Sequence, residues 1–166
     1  MTDNTTNPPH PDRVTLFASC MVDQIAPHIG ERTVDVLEYL GIAVDFLDGQ
    51  TCCGQPAFNS GFRSEAYPVA ARFIELFEQV EGPIVVPSGS CAGMVRNHYA
   101  ELFREDPTMV ERASIVGERL FELTEFISRF FGNAAITGRL ESTATYHKCC
   151  HLLREIGVNE APVEML

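Results

Sequence analysis

The chain has 166 residues, enough for one compact domain and the start of a second unit. Hydrophobic residues make up 45% and charged residues 21%, ordinary for a globular domain, and the formal net charge is −11 from 12 basic and 23 acidic side chains. Such a surface repels phosphate backbones and anionic headgroups, which sets aside nucleic acid and direct membrane binding. No apolar run approaches the roughly 18 residues of a membrane span.

Residues 1–13, MTDNTTNPPHPDR, are polar and Pro-rich. They lack the apolar stretch of a secretion signal and read as a disordered tail, with the chain cytoplasmic. Val14 to Ala18 is a short apolar run, a first strand, ending at Ser19-Cys20. Pro27 opens a helix with Val34, Leu37 and Leu40 on one face and Gly41 as its stop. Ile42 to Leu47 reads as a second strand, and Asp48 to Gly61, rich in Gly, Cys, Asn and Pro, as a structured loop. Ser64 is the expected cap of a helix running to about Val80, with Phe73, Ile74 and Phe77 on one side and Pro68 in its first turns. Gly82-Pro83 ends it. Ile84 to Val86 is a third strand, closed by Pro87 to Ser90, and a helix follows from about Cys91. Asp106-Pro107 has the form of an N-cap followed by a first helical residue. A helix is expected over Glu118 to Phe131, a linker over Gly132 to Gly138, a fourth strand over Thr143 to Tyr146 and a last helix from Cys150.

Alternation of strand and helix predicts an α/β fold, a Rossmann-like parallel sheet with flanking helices. Loops at the C-terminal strand ends of such a sheet gather on one rim, where ligands bind. Cys20, Cys52-Cys53, Cys91 and Cys149-Cys150 each follow an expected strand. Cysteines separated by 31 and 37 residues, between Cys20 and Cys52 and between Cys53 and Cys91, are thereby expected on one edge of one sheet. In a compartment that keeps thiols reduced, six cysteines point to metal or redox chemistry rather than to structural disulfides. Adjacent cysteines diverge in regular structure, and Gly54 supplies the freedom for a turn that lets both face one ligand. Thiolates are soft ligands suited to iron-sulfur clusters or to zinc. Helix starts near Cys20 and Cys91 favour thiolate charge, and the Gly-Ser-Cys-Ala-Gly stretch offers backbone N–H groups to sulfur.

A weak internal repeat adds to this. Val14 to Asp23 resembles Ala144 to Leu153, and Glu38 to Val44 loosely matches Arg154 to Glu160. A second copy starting near Thr143 is unfinished at Leu166, so the chain reads as a truncated form of a two-repeat protein.

Cys20, TCCGQPAFNSG (Thr51 to Gly61), PSGSCAGM (Pro87 to Met94) and YHKCCHLLREIG (Tyr146 to Gly157) together resemble the cysteine-rich CCG-domain family. Within it the likeness is to the lactate-utilization group, and it extends to the iron-sulfur subunit of glycolate oxidase and to the cysteine-rich subunit of heterodisulfide reductase. On this resemblance residues 14–142 form a first CCG domain and residues 143–166 the start of an incomplete second repeat. The resemblance implies an iron-sulfur cluster of the 4Fe–4S type held by Cys20, Cys52, Cys53 and Cys91. It implies an oxidoreductase subunit that relays electrons in oxidation of L-lactate, a 2-hydroxy acid, to pyruvate. The implied partners are the other subunits of a lactate oxidation complex, iron-sulfur and flavin- or quinone-linked proteins. Met94 stands where the broader family has a second cysteine of a Cys-x-x-Cys motif, which leaves four thiolates. Cys149 stands where the second repeat has Ser, so Cys150 is the family cysteine and the candidate for a second site. The second CCG motif itself is missing.

Alternative readings are a zinc or thiol-redox module and an inactive, truncated binding domain. His147 and His151 flank the late cysteine pair as candidate zinc or iron ligands, against ordinary loop hydrogen bonds. His28 and His98 read as packing residues. Gln55-Pro56 and Asn59-Ser60-Gly61 either shape the cysteine loop or form a plain turn. Arg63 and Arg96 are candidates to attract a carboxylate, with salt bridging as the default. Phe73, Phe77, Phe121, Phe126 and Phe130 lie at helical spacings and read as core. No phosphate-binding loop or dinucleotide Gly fingerprint is present.

Overall fold

The computed structural model describes residues 10–138 and 141–166. Residues 1–9 of the expected tail lie outside the described residues. Four strands form one parallel sheet in the order β2-β1-β3-β4: β1 (Arg13–Leu16), β2 (Ala43–Phe46), β3 (Ile84–Val86) and β4 (Leu120–Glu122). The helices are α1 (Cys20–Gln24), α2 (Pro27–Tyr39), α3 (Gln55–Asn59), α4 (Arg63–Phe77), α5 (Gly89–Gly93), α6 (Tyr99–Leu102), α7 (Pro107–Glu118), α8 (Leu123–Phe130), α9 (Cys150–Arg154) and α10 (Ala161–Glu164). A π-helical turn, Met94–His98, joins α5 to α6 into one irregular rod.

Side chains alternate across the sheet, as strand geometry requires. Ile84, Val86 and Leu120 point to one face and meet Phe73, Ile74, Phe77, Tyr99 and Phe103 from α4 and the α5–α6 rod. Val14, Val85 and Phe121 point to the other and meet Leu37 of α2 with Phe126 and Ile127 of α8. The result is a three-layer α/β sandwich in which the inner strand β3 is inaccessible: Ile84, Val85 and Val86 are all 0% exposed. A parallel strand buried on both faces reads as a continuous apolar run, which is how Ile84 to Val86 stands out in the sequence.

The sheet order creates a crevice. The chain moves outward from β1 to β2, then returns across β1 to place β3 on its other side. Loops leaving β1 and β3 diverge to opposite faces, and the gap between them at the C-terminal strand ends is where open α/β sheets take ligands.

Several boundaries differ from expectation. The fourth strand is Leu120–Glu122, inside the span read as one helix over Glu118 to Phe131. Its helical spacing of apolar residues is real, but Arg119 ends α7 and Glu122, an uncommon N-cap residue, starts α8 through a capping box with Glu125. Thr143 to Tyr146 forms no strand. Its Thr and Tyr residues favour strands only when a neighbouring strand and a buried face are available, and Thr143 to Thr145 are exposed. Cys149 and Cys150 therefore do not follow a strand, although α9 does begin at Cys150. The loop over Asp48 to Gly61 holds the short helix α3. Helix α4 starts at Arg63 with Phe62 as its N-cap, and Ser64 bonds Glu65 instead of capping. Pro107 does follow an Asp106 cap, whose carboxylate accepts the Met109 N–H at 3.1 Å.

Candidate metal centre

Cys20, Cys52, Cys53 and Cys91 come together on the rim. Ser19 places Cys20: its hydroxyl accepts the Val22 N–H at 3.4 Å and so starts α1 three residues after buried Phe17. Gln50 fastens the next loop to this one. Its amide oxygen accepts the Ala18 N–H at 3.0 Å, and its amide nitrogen donates to the Leu16 carbonyl at 2.8 Å. The turn after Cys52-Cys53 closes at Gly54, whose φ of 84° lies in the left-handed region. A Cβ there would also sit 3.2 Å from the Ala66 carbonyl oxygen, so Gly54 answers both a backbone and a packing need. Tyr99, fully buried, donates its hydroxyl to the Cys53 carbonyl at 2.9 Å and pins that turn from below. Cys91 is carried by α5, whose N-cap Ser88 accepts the Cys91 N–H at 3.4 Å.

The four sulfurs form a row. The Cys20 thiol donates to the Cys52 sulfur at 3.6 Å, and the Cys53 thiol lies between Cys52 and Cys91 and interacts with both. Hydrogen bonding shifts the row in two directions, Cys52 and Cys91 toward the thiolate and Cys20 and Cys53 toward the thiol. Cys52 is pulled down to about 5, first by the Cys53 thiol and then by the Gly54 N–H, at 3.4 Å, and Cys20, against the opposing effect of burial. Cys91 is lowered by the Cys53 thiol, with the Ser88 and Ser90 hydroxyls adding to it. Cys20 is raised to about 11 by burial and by its bond to Cys52. Cys53 is raised by its bonds to Cys52 and Cys91 and by its burial. Donors to a thiolate stabilise it, and the thiols doing the donating must keep their protons.

Among the described residues no group of three or more His, Cys, Asp and Glu side chains forms a ready cage for a metal ion. A row of touching sulfurs is how bare thiols satisfy one another. The donor set nevertheless fits a thiophilic metal group: four soft sulfurs from three loops, two of them shifted toward the thiolate, on the sheet crevice. Cys53 and Cys91 are buried, whereas Cys20 and Cys52 are half-buried and line a cavity of about 360 Å³ with Asp23, Gln24, Phe46 and Gln50.

The remaining candidates sit apart from the row or against its flank. Cys150 is exposed and Cys149 half-buried. α9 lies on α5, with Leu152 against Gly89, and Gly93 gives way to the Glu155 carboxylate. His151 meets the Gln55 side chain at 3.2 Å and the Glu155 carboxylate at 3.7 Å, and His98 meets the same carboxylate at 3.3 Å. His147 is exposed. Asn59, Ser60 and Gly61 form the turn that ends α3. Arg63 pairs with Glu101 at 2.8 Å and Arg96 with Glu125 at 2.7 Å, so both make the default salt bridge. Sequence reasoning missed Gln50, Tyr99 and Glu155. Gln50 lies two residues before the cysteine pair, its one sequence signal. Tyr99 and Glu155 carry none, because their roles depend on which elements pack together.

Residues 14–96 match the CCG cysteine-rich domain family. The chain is 44% identical over 154 residues to lactate utilization protein A of Bacillus licheniformis, covering 93% of this chain and 64% of that protein. It is 40% identical over 154 residues to lactate utilization proteins A 1 and A 2 of Bacillus anthracis, covering 93% of this chain and 63% of each. The chain thus spans less than two thirds of the length of these relatives. No solved structure gives a significant match.

Proposed function

The chain belongs to the CCG cysteine-rich domain family, and from that premise we propose that it is an iron-sulfur electron-transfer component of a system oxidising L-lactate, or a similar 2-hydroxy acid, to the 2-oxo acid. The observation that carries this reading is the convergence of Cys20, Cys52, Cys53 and Cys91, from three loops, into one contiguous row of sulfurs. Such a group, when bound, takes up and passes on single electrons.

The chain's own residues supply ligation, burial and access. The four cysteines are the ligands. Gln50 and Tyr99 hold the two loops that carry three of them. The Gly54 N–H and the Ser88 and Ser90 hydroxyls lie against sulfur and favour its charged form. Leu152 and Glu155 cover the outer side of α5. Cys20 and Cys52 face the open cavity, the side from which an electron partner reaches the group most directly. The acceptors and donors are other subunits of a lactate oxidation system, and residues 143–166 are the beginning of a second CCG unit with Cys150 as its cysteine. No helix of the described residues is long and apolar enough to cross a membrane, and we read the protein as cytoplasmic.

Anaerobic reconstitution with iron and sulfide tests the reading. The expected product is brown, contains both elements, and loses them in Cys20→Ser, Cys52→Ser, Cys53→Ser and Cys91→Ser. A folded protein that takes up zinc but neither iron nor sulfide overturns it in favour of a zinc site.

A further inference from the structure

Two of the four sulfurs differ from the others in access. Cys20 and Cys52 are half-buried and line the same cavity, and their Sγ atoms are 3.6 Å apart. Cys53 and Cys91 are 2% and 7% exposed, out of reach of a dissolved oxidant. The contact between Cys20 and Cys52 is set by protein atoms alone. Gln50 joins their loops through Ala18 and Leu16, and Ser19 fixes the start of α1. Closing that contact to a bond takes the sulfurs to about 2.05 Å, a short movement for two part-exposed side chains. Neighbouring pairs are poorer candidates. Cys52 and Cys53 are adjacent, with Cα atoms about 3.8 Å apart, less than the roughly 4.4 Å a disulfide ordinarily spans.

We infer that Cys20 and Cys52 form a reversible disulfide when no metal group is bound, and that this bond closes the site to loading. The oxidant is a low-molecular-weight disulfide, R–S–S–R. One cysteine sulfur attacks it, forming a mixed disulfide and releasing one R–S⁻. The second cysteine sulfur attacks the protein-side sulfur of the mixed disulfide, forming the Cys20–Cys52 bond and releasing the other R–S⁻. The two protons of the cysteines end on the two released thiols. Two cysteines are oxidised and one small disulfide is reduced, so electrons and atoms balance. A dithiol reverses the sequence. The closure to loading rests on the proposed ligand role of these cysteines, whereas disulfide formation does not.

The test uses the full metal-free chain in graded glutathione–glutathione disulfide buffers. Free thiols are counted by alkylation and mass spectrometry, and linked peptides are mapped. Cleavage after Arg13, Arg32 and Arg63 separates Cys20 from the Cys52-Cys53 peptide. The expected result is loss of two of the six thiols and a link between these two peptides. The link disappears in Cys20→Ser and Cys52→Ser and persists in Cys53→Ser. The oxidised chain takes up no iron until a dithiol restores it. Retention of all six thiols, only glutathione adducts, or a link to Cys53, Cys91, Cys149 or Cys150 overturns the disulfide. Equal iron uptake by oxidised and reduced chains overturns the closure. If the link forms as expected but the reduced chain takes up no iron, the disulfide stands and the cluster reading fails.

Discussion

The single Cys53 thiol proton is flanked by two sulfurs, Cys52 and Cys91, and adjacent residues shift in opposite directions: Cys52 toward the thiolate, Cys53 toward the thiol. Cys52's value is depressed, so its charged form is stabilised by the fold. That contribution is present above the ordinary thiol range and is lost as pH falls through about 5. Cys20 has the opposite sign. Its neutral form is favoured, and that contribution is present below the ordinary thiol range and lost as pH rises through about 11. In the metal-free protein, iodoacetamide should therefore modify Cys52 before Cys20, at a rate nearly constant from pH 7 to 8 and falling with a midpoint near 5. A Cys52 rate that still climbs through pH 8 contradicts the assignment. Below the row, Tyr99→Phe removes one hydrogen bond and leaves the Cys53 carbonyl without this donor. The expected loss is about 1–3 kcal/mol in urea unfolding, with the aromatic packing against Phe73 and Phe103 retained.

At the scale of elements, α5 shows why its cysteine is bracketed by glycines. A Cβ on Gly89 would lie 2.8 Å from the Leu152 Cβ and 3.2 Å from that residue's backbone nitrogen, so α9 could not rest where it does. Gly89→Ala should displace α9 at a cost of roughly 1–3 kcal/mol. Hydrogen exchange should rise at residues 150–154 and stay unchanged in β3, whereas an unchanged α9 would show that the contact yields cheaply. Glu122 marks the boundary that sequence reasoning lost. It is buried and its pKa is raised by that burial, while its carboxylate still accepts the Thr124 N–H at 2.8 Å. With a raised value, its favourable contribution is present below the ordinary carboxylate range and is lost as pH rises through the folded value. Glu122→Gln keeps an acceptor and sheds the buried charge, so it should melt at or above the parent temperature at pH 7. Glu122→Ala removes the cap and should lose about 1 kcal/mol.

Across the whole molecule, what the sequence revealed follows from what local patterns can encode. Strands β1 to β3 announce themselves as short apolar runs between turn residues, and Asp106-Pro107 states a helix start in two letters. The parallel order of β-α units then puts Cys20, Cys52, Cys53 and Cys91 on one rim without any tertiary knowledge. β4 stayed hidden because its apolar residues continue the helical period of α8, and Thr143 to Tyr146 misled because strand preference supplies no partner strand. Which sulfurs hold protons is a property of the assembled row alone, and it yields a prediction for the entire fold. At pH 8 Cys52 is a thiolate, Cys20 and Cys53 carry protons, and Cys91 is shifted toward its charged form by the Cys53 thiol. Four-thiolate ligation should then release fewer than about three protons per chain, where ordinary thiols would release more at that pH. Zinc serves as the probe, with release followed by an indicator dye in weak buffer. Because the ligands come from three loops that only the folded sheet brings together, the same loading should raise the melting temperature. At a free-metal concentration a hundred times the dissociation constant the gain is about 2.7 kcal/mol. Release close to four protons would mean that the row is fully protonated before loading. Release without a rise in melting temperature would mean that the metal binds the unfolded chain as well as it binds the folded one.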